Sequence, residues 1–353
     1  MDIKKTVKEA LKNVLDPIKK KDIISLKSLE DIKINNNTIS IKVSLSPSSF
    51  KLKEVIRRNC ISNLNKVFND IEYDIKFILN DEPPEKINKQ PDQIHKKFKT
   101  ENIKNIIAVT SGKGGVGKST IASNISIGLK KLGFKVGLID ADIFGPSIPT
   151  MFNCENEQPT YKVIDNKNII IPIEQYGVKL LSMGVIVPKE KAIIWRGPMA
   201  SSAMKQMVLD VEWGKLDYLI VDLPPGTSDI HITLSQNFFV GGSVIITTPQ
   251  KISTIDAEKA ISMFNQQDTK VPILGVVENM SYFLNENGDK EYIFGKDGGK
   301  EISEKLSIDI LGHIPINKKI SESSDNGYPI ILKEDKHSEL FLNICKKIDK
   351  KFR

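Results

Sequence analysis

Cysteine and tryptophan are scarce in this sequence of 353 residues, which has three cysteines and two tryptophans. Cys60, Cys154 and Cys345 lie far apart, so they predict neither a disulfide framework nor a C-x-x-C metal site. The sequence also lacks an apolar run of about 18 residues, the length that a transmembrane helix needs. Its first residues, MDIKKTVKEALKNVLD, contain no apolar segment of the signal-peptide type. We therefore expect no membrane-spanning helix and a cytoplasmic location.

The excess positive charge lies in the first part of the chain. Residues 1–100 contain 21 basic and 14 acidic side chains, whereas residues 101–353 contain 30 of each. A nucleic-acid surface needs clustered basic residues with interleaved aromatics, but Arg57 and Arg58 are the only arginines of this part and its lysines are scattered. We expect a solvated lysine-rich surface rather than nucleic-acid binding.

The chain length predicts two domains. Residues 1–80 contain apolar residues at helical spacing around Val7 and Ile56, and two alternating segments around Ile41 and Ile75, which predict a small α+β domain. Residues 81–104 are polar, contain three prolines and predict a linker. Residues 105–353 form the predicted second domain.

Near-continuous apolar runs recur through the second domain and predict buried strands. Helical patterns follow most of these runs, so we expect an α/β fold whose mostly parallel sheet carries helices on both faces. The predicted strands are Ile106–Thr110, Val136–Asp140, Tyr218–Asp222, Val244–Thr248 and Ile273–Val277.

A glycine-rich segment, SGKGGVGKST, follows the first of these strands at residues 111–120. It satisfies G-x-x-x-x-G-K-[ST] between a strand and a helix, where backbone amides and the helix N-terminus hold phosphates. Lys118 would reach the β- and γ-phosphates of ATP, and Ser119 would hold Mg²⁺. The weaker dinucleotide pattern G-x-G-x-x-G also fits, but it gives the Lys-Ser ending no role. The predicted nucleotide-binding residues are Gly112, Lys113, Gly114, Gly115, Val116, Gly117, Lys118, Ser119 and Thr120.

Carboxylates end the neighbouring predicted strands. Asp222 would complete the metal site with Ser119, and the following residues 223–227 resemble a switch loop. Of Asp140 and Asp142, one would orient the attacking water, with turn capping as the alternative for each. We take Asp142 as the candidate catalytic carboxylate and leave Asp140 open.

Lys113, the second residue of the motif, has no required task within one chain. It would be well placed to meet phosphates across a symmetric interface, as an arginine finger does, and the alternative is a solvated loop lysine. The candidate catalytic residues are Lys113, Lys118 and Asp142.

These motifs, together with others along the second domain, resemble the deviant phosphate-loop ATPases and, within them, the Mrp/ApbC iron–sulfur cluster carriers. The resemblance implies a homodimer that sandwiches ATP, transfer of clusters to apoproteins, and contact of Asn279 with the adenine edge. The predicted N-terminal domain, with DPIKKKDIISL at 16–26, resembles the small domain that precedes the ATPase in many of these carriers. The other motifs are DADIFGPSIP at 140–149, WRGPM at 195–199, DLPPGTSD at 222–229, ENMSYF at 278–283 and IFGKDGG at 293–299.

The sequence departs from this family where cluster ligands are usual. The C-x-x-C that often follows ENMS is replaced by residues 284–287, and the small domain has residues 46–49, SPSS, where a cysteine is usual. Clusters prefer thiolate ligands, so we expect no cluster at the usual site. Cys154 is left open as a lone ligand or an inert thiol, and Cys60 and Cys345 are predicted core residues. His231 is expected on a helix surface or, less favoured, near the nucleotide.

Two alternatives to an ATP-hydrolysing carrier remain open. One is a spatial regulator resembling MinD or ParA, with a basic amphipathic C-terminal helix on a membrane. That helix would carry Phe341, Ile344 and Ile348, and packing of these residues on the sheet is the favoured use. The other is a nucleotide-dependent scaffold without turnover.

Overall fold

The computed structural model describes residues 3–18, 21–35, 38–50, 52–68, 71–79, 97–143, 145–164, 167–186 and 197–353, without the side chains of residues 47 and 48. Its contacts divide the chain into two compact units, residues 1–93 and 94–353. Phe98 donates its backbone N–H to the Asn237 carbonyl at 2.7 Å, so the described end of the predicted linker already packs on the second unit. The division at residues 80 and 104 stays a prediction.

The first unit is a three-stranded sheet with helices. Strand β2 pairs antiparallel with β1 and parallel with β3, in the order β1-β2-β3. Its core joins Val7 and Leu11 to Ile41 and Ile56. Both expected helices and both expected strands are present, and β1 was not predicted. The elements are α1 (Ile3–Leu11), β1 (Leu29–Asn35), β2 (Thr38–Leu45), α2 (Pro47–Phe50), α3 (Lys53–Leu64) and β3 (Glu72–Leu79).

The second unit is built on an eight-stranded sheet, in the order β15-β12-β11-β4-β10-β5-β9-β8. All pairs in it are parallel except β8 with β9. The strands are β4 (Ile103–Ser111), β5 (Val136–Asp140), β6 (Thr160–Ile164), β7 (Lys167–Ile171), β8 (Ile173–Gln175), β9 (Val178–Ser182), β10 (Leu216–Asp222), β11 (Val240–Thr247), β12 (Ile273–Glu278), β13 (Phe283–Leu284), β14 (Lys290–Glu291) and β15 (Ile310–His313).

Helices cover both faces of this sheet, with one large core on each side. The predicted fold class is therefore confirmed, and all five predicted strands are present. The helices are α4 (Lys118–Lys131), α5 (Ile148–Met151), α6 (Met183–Ile186), α7 (Gly197–Leu209), α8 (Asp229–Asn237), α9 (Lys251–Phe264), α10 (Gly298–Leu306), α11 (Lys318–Asp325) and α12 (Lys336–Lys350), with 3₁₀ turns at Gln267–Thr269 and Ile330–Leu332.

The apolar face of the C-terminal helix α12 packs inside the protein. Phe341, Ile344, Cys345 and Ile348 are fully buried in the core that includes α4. The pattern that suggested a membrane-binding helix is thus explained by packing on the sheet. None of the helices that the structure describes combines the length and the apolar character needed to span a bilayer.

Candidate functional site

The phosphate loop, residues 112–120, connects the central strand β4 to helix α4 at the carboxyl edge of the sheet. Gly115 and Gly117 adopt φ of 81° and 80°, a left-handed backbone that glycine tolerates without strain. Gly112 is required for another reason, because a Cβ there would lie 2.0 Å from the Asp256 carbonyl carbon in α9. The loop is therefore shaped by its own turn and by the helix behind it.

Lys118 and Asp222 meet at the centre of this edge. Lys118 Nζ lies 2.7 Å from Asp222 Oδ1 and donates to Ser119 Oγ at 3.3 Å. Both partners of the ion pair are buried. Burial raises the pKa of Asp222, and the Lys118 ammonium opposes that rise. The start of α4 and the end of β10 thus bring together the lysine, the hydroxyl and the carboxylate that the sequence predicted for one site.

The second carboxylate oxygen of Asp222 has unused capacity to accept a hydrogen bond or to bind a cation. Among the described residues, buried Asp222 Oδ2 has no hydrogen-bond partner. A buried carboxylate oxygen without a donor is costly, and a hydrated cation is the kind of group that would satisfy it. The donor set of Asp222 Oδ2 and Ser119 Oγ, both oxygens, fits Mg²⁺.

Asp140 and Asp142 differ in their surroundings. Asp140 is fully buried and accepts from Ser182 Oγ at 3.1 Å and from the backbone N–H groups of Ile148 and Asp142 at 3.2 Å. Burial first, and the Asp222 carboxylate second, raise the pKa of Asp140 to about 7. Asp142 is half-buried on the following loop, and among the described residues its carboxylate accepts from Gly145 N alone, at 3.3 Å. Asp140 therefore organises the loop, and Asp142 keeps acceptor capacity for a water.

Asn279 supports the phosphate loop directly. Its Nδ2 donates to the Val116 carbonyl at 2.8 Å, and a Cβ on Gly117 would lie 2.2 Å from that nitrogen. The backbone N–H of Asn279 donates to the Thr247 carbonyl at the end of β11. This contact was not predicted, because nothing local to ENMSYF indicates it. The role of Asn279 at the adenine edge stays a prediction.

Lys113 lies half-buried on the phosphate loop. Ser111 Oγ donates to its carbonyl at 2.9 Å. Within the described ranges, its ammonium group makes no ion pair. Both predicted roles of Lys113, action on the partner subunit's nucleotide and simple solvation, stay predictions.

His231 is not on a helix surface, so the favoured expectation for it was wrong. It is fully buried at the start of α8, with Ser228 N and Thr110 Oγ1 at its two ring nitrogens. A signal for this position exists in the sequence: Ser228 is a good N-cap, and the third residue after an N-cap often returns a side-chain hydrogen bond.

The three cysteines of the chain are all buried. Cys60 and Cys345 are fully buried, as predicted for core residues, and Cys154 is 2% exposed. Burial raises the pKa of Cys60 and of Cys154 to about 12 and raises that of Cys345 as well. Since the thiolate is the metal ligand, none of these side chains presents a ligand to solvent, which favours the inert-thiol alternative for Cys154.

The segment that replaces C-x-x-C forms a closed hairpin turn between β13 and β14. Asn285 Oδ1 accepts from the backbone N–H groups of Asn287 and Asp289 at 3.1 and 2.9 Å. Asn285 Nδ2 donates to Glu291 Oε1 at 3.0 Å. These groups hold one another and offer no thiolate, so residues 284–287 do not fit an iron–sulfur cluster.

Comparisons with known proteins agree with the assignment of a phosphate-loop NTPase. A family model described as NUBPL iron-transfer P-loop NTPase matches residues 102–349, and a model described as iron-sulfur cluster assembly protein matches residues 4–71. An iron-sulfur cluster carrier protein of Aquifex aeolicus is 38% identical, over 96% of this chain and 97% of its own length. One of Escherichia coli is 39% identical, over 91% and 84%.

A solved structure adds a nucleotide-bound relative. The nucleotide-binding protein of Archaeoglobus fulgidus, in complex with ADP, is 36% identical to this chain with a TM-score of 0.57, over 68% of this chain and 93% of its own. The cell division ATPase MinD of Pyrococcus furiosus is 20% identical with a TM-score of 0.51, over 70% of this chain and 98% of its own, and shows the shared fold alone.

Proposed function

The chain belongs to the family of NUBPL iron-transfer P-loop NTPases, and from this premise we propose that it is a cytoplasmic ATPase that carries iron–sulfur clusters to recipient apoproteins. The main support for ATPase activity is the contact between Lys118 and Asp222 beside the phosphate loop. Relatives that match nearly the whole chain are named iron–sulfur cluster carriers, which supports the proposal that this chain carries clusters.

In this proposal the phosphate loop binds the triphosphate of ATP. The amides of residues 112–120 and the N-terminus of α4 face the phosphates, which favours negative charge at that point. Lys118 exchanges its contact with Asp222 for the β- and γ-phosphates, and Asn279 borders the adenine. Asp142 orients the attacking water.

Ser119 and Asp222 would hold Mg²⁺ at this site. The bound ion supplies neutralisation of charge that develops on the phosphates. Asp222 is kept available for this role by its position at the end of β10, where one carboxylate oxygen pairs with Lys118 and the other has no described partner.

The experiment that tests the ATPase is phosphate release from ATP in the presence of magnesium. The parent should release phosphate continuously, and the Lys118→Ala variant gives the background rate of contaminating enzymes. Equal rates for the two proteins, with ATP still bound by the parent, would favour a scaffold without turnover.

We infer a homodimer in which Lys113 acts on the nucleotide of the partner subunit. Lys113→Ala should leave ATP affinity within about threefold and lower the hydrolysis rate about 1,000-fold, the low end of the range for loss of a charge that acts in trans. Hydrolysis per chain should also rise with protein concentration. Sedimentation velocity with ATP measures the dimer, and Lys131→Ala, an exposed lysine at the end of α4, is the control. Equal rates for Lys113→Ala and the parent would leave Lys113 as a solvated lysine.

The cargo would be held by thiolates from outside this chain. The site at residues 284–287 offers no thiolate, and all three cysteines are buried. Because clusters strongly prefer thiolate ligands, we propose that a recipient protein or an added low-molecular-weight thiol completes their coordination.

Anaerobic reconstitution with iron and sulfide tests this source of ligands. We expect retained iron and visible absorption only when a thiol is supplied, and equal amounts in the parent and in Cys154→Ala, because the Cys154 thiol donates to the Pro149 carbonyl inside the core. Loss of the absorption in Cys154→Ala, with an unchanged melting temperature, would instead make Cys154 a ligand.

A further inference from the structure

A buried histidine that the phosphate chemistry does not use ties two parts of the site together. His231 Nδ1 accepts from Ser228 N at 3.1 Å, and its Nε2 lies 3.2 Å from Thr110 Oγ1. Because Nδ1 accepts the amide proton, Nε2 carries the ring proton and donates it to the threonine hydroxyl. One imidazole thus joins Ser228, which directly follows the switch loop of residues 223–227, to the strand that enters the phosphate loop.

Successive residues at the end of β4 hold this switch loop at three points. The Val109 carbonyl accepts from Leu223 N at 3.0 Å, and the Ser111 carbonyl accepts from Gly226 N at 2.8 Å. Between them, Thr110 holds the loop through His231. The outer two bonds use main-chain groups, so the central one is the bond that depends on side-chain identity.

The ring remains neutral at this position. Burial first, and the charge of Lys118 second, lower the pKa of His231 to about 4. A neutral ring is what the geometry requires, since a protonated Nδ1 would lose its capacity to accept from Ser228. The tether therefore persists throughout the neutral pH range.

We propose that His231 is a positioning residue that fixes the end of the switch loop against the phosphate-loop strand, an inference that rests on the proposed ATPase. Gly226, four residues after β10 ends at Asp222, then keeps its place beside the phosphate loop. A loop displaced by about 1 Å can cost up to 100-fold in rate. Residues 112–120 bind the nucleotide in its ground state and do not depend on the His231–Thr110 hydrogen bond. Loss of that bond should therefore lower kcat rather than the affinity for ATP.

Two substitutions remove the tether in different ways. His231→Leu deletes the ring contacts with Ser228 N, Ser228 Oγ and Thr110 Oγ1. Thr110→Val removes only the threonine hydroxyl, with little change of volume. We expect kcat to fall about 10-fold and about threefold respectively, with KM and the ATP dissociation constant within about twofold. His337→Leu is the matched control, because His337 is also buried and pairs with Asp335 rather than with the switch loop.

A conservative replacement separates positioning from bulk. Glutamine at the third position after an N-cap returns a hydrogen bond to the N-cap amide, so His231→Gln should recover kcat to within about threefold of the parent. A glutamine variant as slow as the leucine variant would overturn the proposal, and so would a kcat of His231→Leu within twofold of the parent. The proposal would also be overturned if kcat of the His231 variants fell only in proportion to their loss of melting temperature, as expected for the control His337→Leu.

Hydrogen exchange tests the tether without using activity. In the nucleotide-free parent, the amides of Leu223 and of residues 226–228 should exchange about fivefold more slowly than in Thr110→Val or His231→Leu, because the lost bond is worth about 1 kcal/mol and about 1.4 kcal/mol is tenfold. Unchanged exchange would overturn the tether even in an active enzyme. A parent without ATP hydrolysis but with the expected exchange difference would instead count against the proposed function alone.

Discussion

Replacing Lys118 by alanine should lower the affinity for ATP about 100-fold and bring hydrolysis to background. Hydrogen bonds to charged groups contribute about 1.5–3 kcal/mol each, and 1.4 kcal/mol is tenfold in affinity, so losing the contacts with two phosphates accounts for this factor. Isothermal titration calorimetry with ATP and magnesium measures the affinity. Lys131→Ala, on the exposed end of the same helix, should bind as the parent does.

The same substitution acts on the metal site as well. Lys118 is the cation beside buried Asp222, and it opposes the rise in the pKa of that carboxyl. Without the ammonium, burial raises the pKa further, and a larger share of Asp222 is protonated at neutral pH. We therefore expect Lys118→Ala to weaken the binding of magnesium at Asp222 as well as the binding of ATP. An ATP affinity within threefold of the parent would contradict the proposed nucleotide site.

The centre of the fold was predictable because its signals are local. Strand β4, the glycines and the Gly-Lys-Ser ending of the phosphate loop lie within twenty residues, and five long apolar runs identified the central strands. Strand β1, the strands β6–β9 and the strands β13–β15 were missed, since they are short or partly exposed: Tyr161 and Val163 in β6 are 58% and 70% exposed. A strand with little burial carries a weak periodic signal.

The site was predictable in composition but not in its supporting contacts. Lys118, Ser119 and Asp222 were assigned from motif and strand position, and the structure brings them together. Asn279 meets the loop 163 positions earlier in the sequence, at Val116, and His231 meets Thr110 across 121 positions. Contacts at such separations depend on the order of strands in the sheet, which spacing in one sequence does not fix.

Gly112→Ala should destabilise the second unit by about 3 kcal/mol, the upper range for forcing extra atoms into a packed region. The added Cβ would lie 2.0, 2.2 and 2.4 Å from Asp256 C, Asp256 O and Ala257 N. These are backbone atoms of α9, so no side-chain rotation relieves the overlap and the loop or the helix must shift. A change of this size corresponds to about 6–12 °C in the melting temperature of a unit of this length.

Gly114→Ala is the matched control for this prediction. Gly112 and Gly114 both have φ outside the left-handed region, so alanine is compatible with either backbone. Of the atoms that the structure describes, a Cβ on Gly114 would have only Pro225 Cγ, at 3.9 Å, within contact range. The effect of Gly114→Ala on stability without nucleotide should stay within about 0.5 kcal/mol. Differential scanning calorimetry of the nucleotide-free proteins measures both, and equal melting temperatures would refute the close contact with α9.

The comparison also divides the glycines of the motif by physical task. Gly115 has φ of 81°, and no atom of the described residues lies within 4 Å of an added Cβ, so its backbone is free to turn toward phosphate. Gly117 leaves room for the Asn279 amide, and Gly112 leaves room for the backbone of α9. The motif interpretation assigned all of them to the phosphate. If Gly112→Ala binds ATP weakly only because its loop is displaced, ATP at saturating concentration should recover part of the lost melting temperature, since a ligand stabilises the state that binds it.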